Sequence, residues 1–194
     1  MKKTTISEVL MPQRILTVDS STSSIAFAVF DRGSLVSYGK INLVGSDVYL
    51  KAGNCCGKFY ALIKKIKPDA VVVESPIYSN SPKTAMHLAL VQGALYGSSY
   101  MAGVRVFRAI SPIQWQNYVG TRLLTSEEKS AIEKSFPNKS NSWYKTKQRQ
   151  VRKNKTITSV NNKFGIKVSD DDIADAIALG WFVSDRWKSL FDIP

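Results

Sequence analysis

Apolar positions fall into two periods along the chain. Residues 14–19, Arg-Ile-Leu-Thr-Val-Asp, form a short apolar run closed by an acid, which predicts a buried strand. A polar turn at 20–24 leads to a second apolar run at 25–30, a tight turn at 31–33 and an alternating stretch at 35–43. Three strands on short turns predict an antiparallel meander. The period then lengthens. Val48, Ala52, Cys55, Phe59, Leu62, Ile63 and Ile66 recur at helical spacing over 47–66, with Gly53 and Gly57 weakening the pattern and Lys67-Pro68-Asp69 stopping it. Residues 70–73, Ala-Val-Val-Val, make the continuous apolar run of a strand buried on both faces, and Glu74 follows.

The second half is mostly helical in pattern. Residues 83–102 predict an Ala- and Gly-rich helix, 104–108 a fifth strand, and 111–118 a helix opened by Ser111 with Pro112 in its first turn. Thr125 and Glu128 form a capping box for a helix to about Phe136. Residues 137–150 are polar and basic, with Trp143 and Tyr144 interleaved, and read as a loop free to move. A basic helix is expected over 151–164, closed by Gly165, and a last helix from the acidic stretch at 169–172 to about Trp187. Ser169 with Asp172 reads as the capping pair of that last helix. The order predicts an α/β fold, a mixed five-stranded sheet flanked by helices, in one domain spanning 1–194. Residues 1–13 are read as an N-terminal extension and about 124–150 as a basic insertion.

Charge changes the picture most. The chain carries 27 Lys and Arg against 15 Asp and Glu, a net charge of +12, which points to a polyanion, nucleic acid first. From Lys134 to Ser169 there are ten Lys or Arg and no acid. Four carboxylates then crowd into residues 170–175. Helix-dipole and capping preferences account for Asp170, Asp171 and in part Asp172, but not for Asp175 among Ala174, Ala176 and Ala178, where a charge needs a partner. Asp172 and Asp175 are three apart and share a helix face.

Other chemistry is thin. Adjacent Cys55 and Cys56 are the only cysteines and suit reduced structural thiols in a cytoplasmic protein, and His87, the sole histidine, suits a structural role. A histidine metal site or a Ser-His-Asp triad is therefore not expected. No apolar run approaches a membrane span, the N-terminus has no apolar signal region, and no membrane partner is expected.

Asp19 and Glu74 close two separate strands. If those strands lie side by side and parallel, both acids reach the carboxyl edge of the sheet, where open α/β sheets place their ligands. Joined there by Asp172 and Asp175, they could not all ionise without a compensating charge. Two Mg²⁺ ions, with Mn²⁺ as a substitute, would supply it and would support phosphodiester hydrolysis. Lys83, Lys145, Lys147, Arg149, Arg152, Lys153 and Lys155 are the candidate phosphate contacts. Trp143 or Tyr144 would stack on bases or serve structure alone.

Residues 15–19, 71–74 and 172–179, in this order and spacing, with Gly93 in the helix after Glu74, resemble the RuvC family of Holliday junction resolvases. The resemblance covers roughly 14–120 and 150–187. It implies an RNase H-like fold, a homodimer, paired cuts in four-way DNA junctions, and Asp19, Glu74, Asp172 and Asp175 as metal-binding carboxylates. It also implies a base-stacking aromatic after the strand glutamate, for which Tyr78 is the nearest residue, offset by about one. Ser20-Ser21 stand where the family usually has Pro-Gly. The dimer contact expected is an apolar helix surface, such as that over 83–102. Alternatives are an RNase H-type nuclease on RNA–DNA hybrids and a DNA-binding protein without catalysis. Residues 19–24, Asp-Ser-Ser-Thr-Ser-Ser, also resemble the phosphate loop of actin-like sugar kinases, but the chain is too short for two such domains.

Overall fold

The computed structural model describes residues 12–76 and 81–191. Strands β1 (Arg14–Ser20), β2 (Ser24–Asp31) and β3 (Ser34–Asn42) form the meander. Arg32 and Gly33 turn β2 into β3 with φ of 48° and 80°, the left-handed pair that a two-residue hairpin turn demands. Helix α1 (Val48–Ile66) follows, then β4 (Ala70–Glu74), α2 (Pro82–Met101), β5 (Val106–Ile110), α3 (Pro112–Tyr118), α4 (Ser126–Ser135), α5 (Asn141–Phe164) and α6 (Asp171–Phe191).

The sheet runs β3-β2-β1-β4-β5. β1 and β4 pair in parallel, from Ile15 opposite Ala70 to Val18 opposite Val73, and β4 pairs in parallel with β5. The carboxyl ends of three strands therefore share one edge. Alternation along the strands splits the core into two layers. Leu16, Val18, Val71 and Val73 pack with Phe59 of α1 and Leu95 of α2. Ile15, Phe30 and Val72 pack on the other face with Ile177, Leu179 and Val183 of α6.

Helix α6 lies unusually close to the sheet. A Cβ on Gly180 would stand 2.2 Å from the Phe30 ring and 2.8 Å from Thr17 Oγ1. Thr17 Oγ1 donates to the Ala176 carbonyl at 2.8 Å, a direct bond from strand to helix.

Three expectations need correction. Strand β5 begins two residues later than predicted, because Gly103 takes a φ of 82° and Val104 N still bonds the Ser99 carbonyl, so β4 is met only at Val106. The stretch at 137–150 is no free loop. Most of it is the first half of α5, capped by Ser140, whose hydroxyl accepts from Trp143 N at 3.2 Å. Lys, Gln and Arg are good helix formers and no Gly or Pro interrupts residues 141–150. Finally, Asp170, not Ser169, caps α6: its Oδ1 accepts from Ile173 N at 3.1 Å, and its carboxylate also faces the positive end of the helix.

Candidate active site

Asp19 is the residue after Val18 on β1, and Glu74 the residue after Val73 on β4. Val18 and Val73 belong to the layer under α1 and α2. The next side chain on each strand points the opposite way, toward α6. Both acids therefore rise beside the first turns of α6, which carry Asp172 and Asp175. These four, with Ser20, Ser21, Gln116 of α3 and Arg149, Arg152, Lys153 and Thr156 of α5, line one cleft of ≈ 250 Å³. Glu74 is fixed at two points: Trp115 Nε1 donates to its Oε2 at 2.8 Å, and Gln92 Nε2 donates to its backbone carbonyl at 2.6 Å.

The cleft is short of positive charge at its centre. Burial, then the charge of Asp172, pushes the Asp19 carboxyl up to about 6. Burial, then Asp19 and Asp175, pushes Glu74 up to about 8. Burial, then Asp19, pushes Asp175 up to about 7. Lys40, Arg152 and Lys153 act against these shifts without abolishing them. Carboxylates driven this way are acceptors in want of a cation. The donor set is all oxygen, which suits a hard divalent ion such as Mg²⁺. The quartet suits such an ion by its donor chemistry, while the acids whose oxygens lie within 4.8 Å of one another as a group of three are Asp170, Asp171 and Asp172 at the rim.

The rim is differently wired. Lys40 Nζ of β3 lies 2.7 Å from Asp172 Oδ2 and 2.9 Å from Asp170 Oδ2. Lys153 of α5 pairs with Asp171 and stands 3.8 Å from Asp172 Oδ1. Carboxylate oxygens of Asp170, Asp171 and Asp172 lie within 4.8 Å of one another, and these two lysines bind that trio together.

Among the candidate phosphate contacts, Arg149, Arg152 and Lys153 face the carboxylate cleft. Lys145 lies in the neighbouring groove with Arg149 and Arg152. Lys147 Nζ sits 5.3 Å from the centre of the Phe136 ring, and Lys155 is paired with Glu128 of α4. Lys83 is exposed in the first turn of α2, on the other layer. Tyr78 lies outside the described residues. Trp143 packs on Phe136 and Tyr144, and Tyr144 Oη donates to the Phe136 carbonyl at 2.6 Å, so this aromatic group braces the α4–α5 turn. Sequence reasoning missed Lys40, Trp115 and Gln116. Lys40 sits on an alternating strand where a lysine signals only solvent, and its partners lie 130 and 132 positions away.

No protein-family model and no curated protein sequence matches the chain. Solved structures do. RuvC of Thermus thermophilus in complex with Holliday junction substrate superposes with a TM-score of 0.65 at 14% identity, covering 91% of this chain and 96% of that one. The yeast mitochondrial Holliday junction resolvase Ydc2 superposes with a TM-score of 0.55 at 15% identity, covering 95% of this chain and 84% of that one. At such identities the likeness shows the fold, and with the sheet order and flanking helices above it gives this chain the RNase H-like fold of the RuvC resolvases.

Proposed function

We propose that this chain is a divalent-metal-dependent endonuclease that resolves four-way DNA junctions by paired phosphodiester hydrolysis. The observation that carries the reading is the quartet Asp19, Glu74, Asp172 and Asp175 at the carboxyl edge of the sheet, in a cleft whose other wall is Arg149, Arg152 and Lys153. The branched-DNA substrate is taken from the structural neighbours, one of which was solved on a Holliday junction.

Asp19, Glu74, Asp172 and Asp175 would hold two Mg²⁺ or Mn²⁺ ions, which when bound activate water and stabilise the leaving oxygen. Trp115 keeps the Glu74 carboxylate aimed into the cleft. Arg149 and Arg152 would draw the phosphate backbone against the acids and offset its charge. Lys40 and Lys153 hold Asp172 in place before the site is filled.

Two cuts need two sites. A second copy would dock through α2, whose Met86, Tyr96, Tyr100 and Met101 are 55 to 77% exposed. A dimer is the expected outcome of light scattering at micromolar concentration, and a monomer would count against this part.

The test is cleavage of a labelled four-way junction beside a linear duplex and an RNA–DNA hybrid of the same sequence, in Mg²⁺ or EDTA. Paired, Mg²⁺-dependent nicks in the junction, with 5′-phosphate and 3′-hydroxyl ends, are expected. Cutting of the hybrid alone would make this an RNase H-type nuclease. Binding without cutting in Mg²⁺ and Mn²⁺ would remove the catalytic reading. Purified Asp19→Asn is expected to bind and not cut; retained cleavage would overturn the site.

A further inference from the structure

A second groove opens beside the carboxylate cleft. Its volume is ≈ 220 Å³, and Arg149 and Arg152 line both spaces. The two are therefore halves of one path along α5. Lys145, Arg149 and Arg152 recur at helical spacing and form a stripe about 10 Å long. Lys129 of α4 lies in the same groove. Among the described residues no acid lines it, and Glu128 nearby in sequence is held by Lys155.

The other side is apolar. Leu124 is buried, while Leu123 beside it is 69% exposed in the loop between α3 and α4. A bare leucine among cations is a poor surface for water and a poor one for duplex DNA, which offers phosphates outward and hides its base faces. An unpaired strand presents both an anionic backbone and open base faces. The groove matches that alternation, and Arg149 adds a planar cation able to stack on a base.

We infer that the groove between Leu123 and the Lys145–Arg149–Arg152 stripe seats an unpaired nucleic-acid strand leading away from the phosphate held at the carboxylates. The inference rests on the nuclease reading for the orientation of the path. Its physical content, selective binding of an unpaired strand, is separate from cleavage.

The test is fluorescence anisotropy in EDTA, with a labelled oligothymidylate of about 16 nucleotides and a duplex of equal length as probes. Leu123→Asp is expected to weaken oligothymidylate binding about 10-fold and duplex binding by far less. Leu123→Ala, which removes the apolar contact without adding charge, is expected to show the same selectivity in smaller measure. Equal losses on both probes, or no loss on either, would overturn the inference. Photo-cross-linking with 4-thiothymidine in the oligonucleotide gives a readout without mutation. A cross-linked peptide containing Leu123 is expected, and adducts confined to other surfaces would overturn the assignment. A selective loss from a protein that cuts nothing would leave the groove standing and remove the nuclease, and a junction-cutting protein with no selective loss would do the reverse.

Discussion

Asp175 shows what the cluster costs the fold. In the unfolded chain its carboxyl loses its proton near the ordinary value of about 3.9; in the folded protein it holds on to about 7. Below the unfolded value both states are protonated and the group contributes nothing. As pH rises from there toward the folded value, only the unfolded state gains from releasing the proton, so folding is progressively weakened. Asp19 and Glu74 act in the same direction, up to about 6 and about 8. The metal-free protein is therefore expected to lose stability between about pH 4 and 8 through these groups, and bound Mg²⁺ to restore it by mass action. Asp175→Asn should melt higher than the wild type at pH 8 in EDTA, by a few degrees at roughly 2–4 °C per kcal/mol for a chain of this size. The gain should shrink toward zero at pH 4. An equal gain at both pH values, or a loss at pH 8, would mean that Asp175 does not carry this unfavourable charge.

At the scale of elements, α6 is where sheet and acids meet, and Gly180 sets their distance. Its missing side chain leaves room for the Phe30 ring and for Thr17. Gly180→Ala adds helix propensity, but the overpacking outweighs it, and a net loss of about 2 kcal/mol is expected by thermal or urea unfolding. An unchanged or raised midpoint would show that Phe30 can move aside. The strands and this helix were legible because their apolar periods follow from burial: the runs at 14–19 and 70–73 each lie in the middle of the sheet, and the acids at their ends were readable for the same reason, while the parallel pairing of those two runs was only a condition of the sequence reading. The first half of α5 was not legible. Its stability comes from Ser140, from Lys, Gln and Arg propensity, and from Phe136 packed on Trp143, none of which leaves an apolar stripe. Lys40 was hidden for a different cause, since its meaning depends on β3 lying across from the start of α6.

Over the whole molecule, the excess of 27 basic over 15 acidic residues is not spread evenly. Arg14, Lys40, Lys153 and Lys155 are each tied to a carboxylate of the same chain: Asp31, the Asp170–Asp172 pair, Asp171 and Glu128. The Arg14 pair joins two strands, the Lys40 pairs join the sheet to the start of α6, and those of Lys153 and Lys155 join helices to each other; all leave less charge for a polyanion. Lys145, Arg149 and Arg152 line open clefts instead. Counterion release separates the two classes, since each phosphate neutralised adds about 0.7 to the slope of log K against log salt on a single strand. The double variant Lys145→Gln, Arg149→Gln is expected to flatten that slope on oligothymidylate by about 1.4. Lys155→Gln should leave the slope nearly unchanged, because Lys155 is already paired with Glu128 of α4. If all three positions flatten the slope alike, the pairing of Lys155 gives way when DNA binds, and the cationic face extends along the whole of α5.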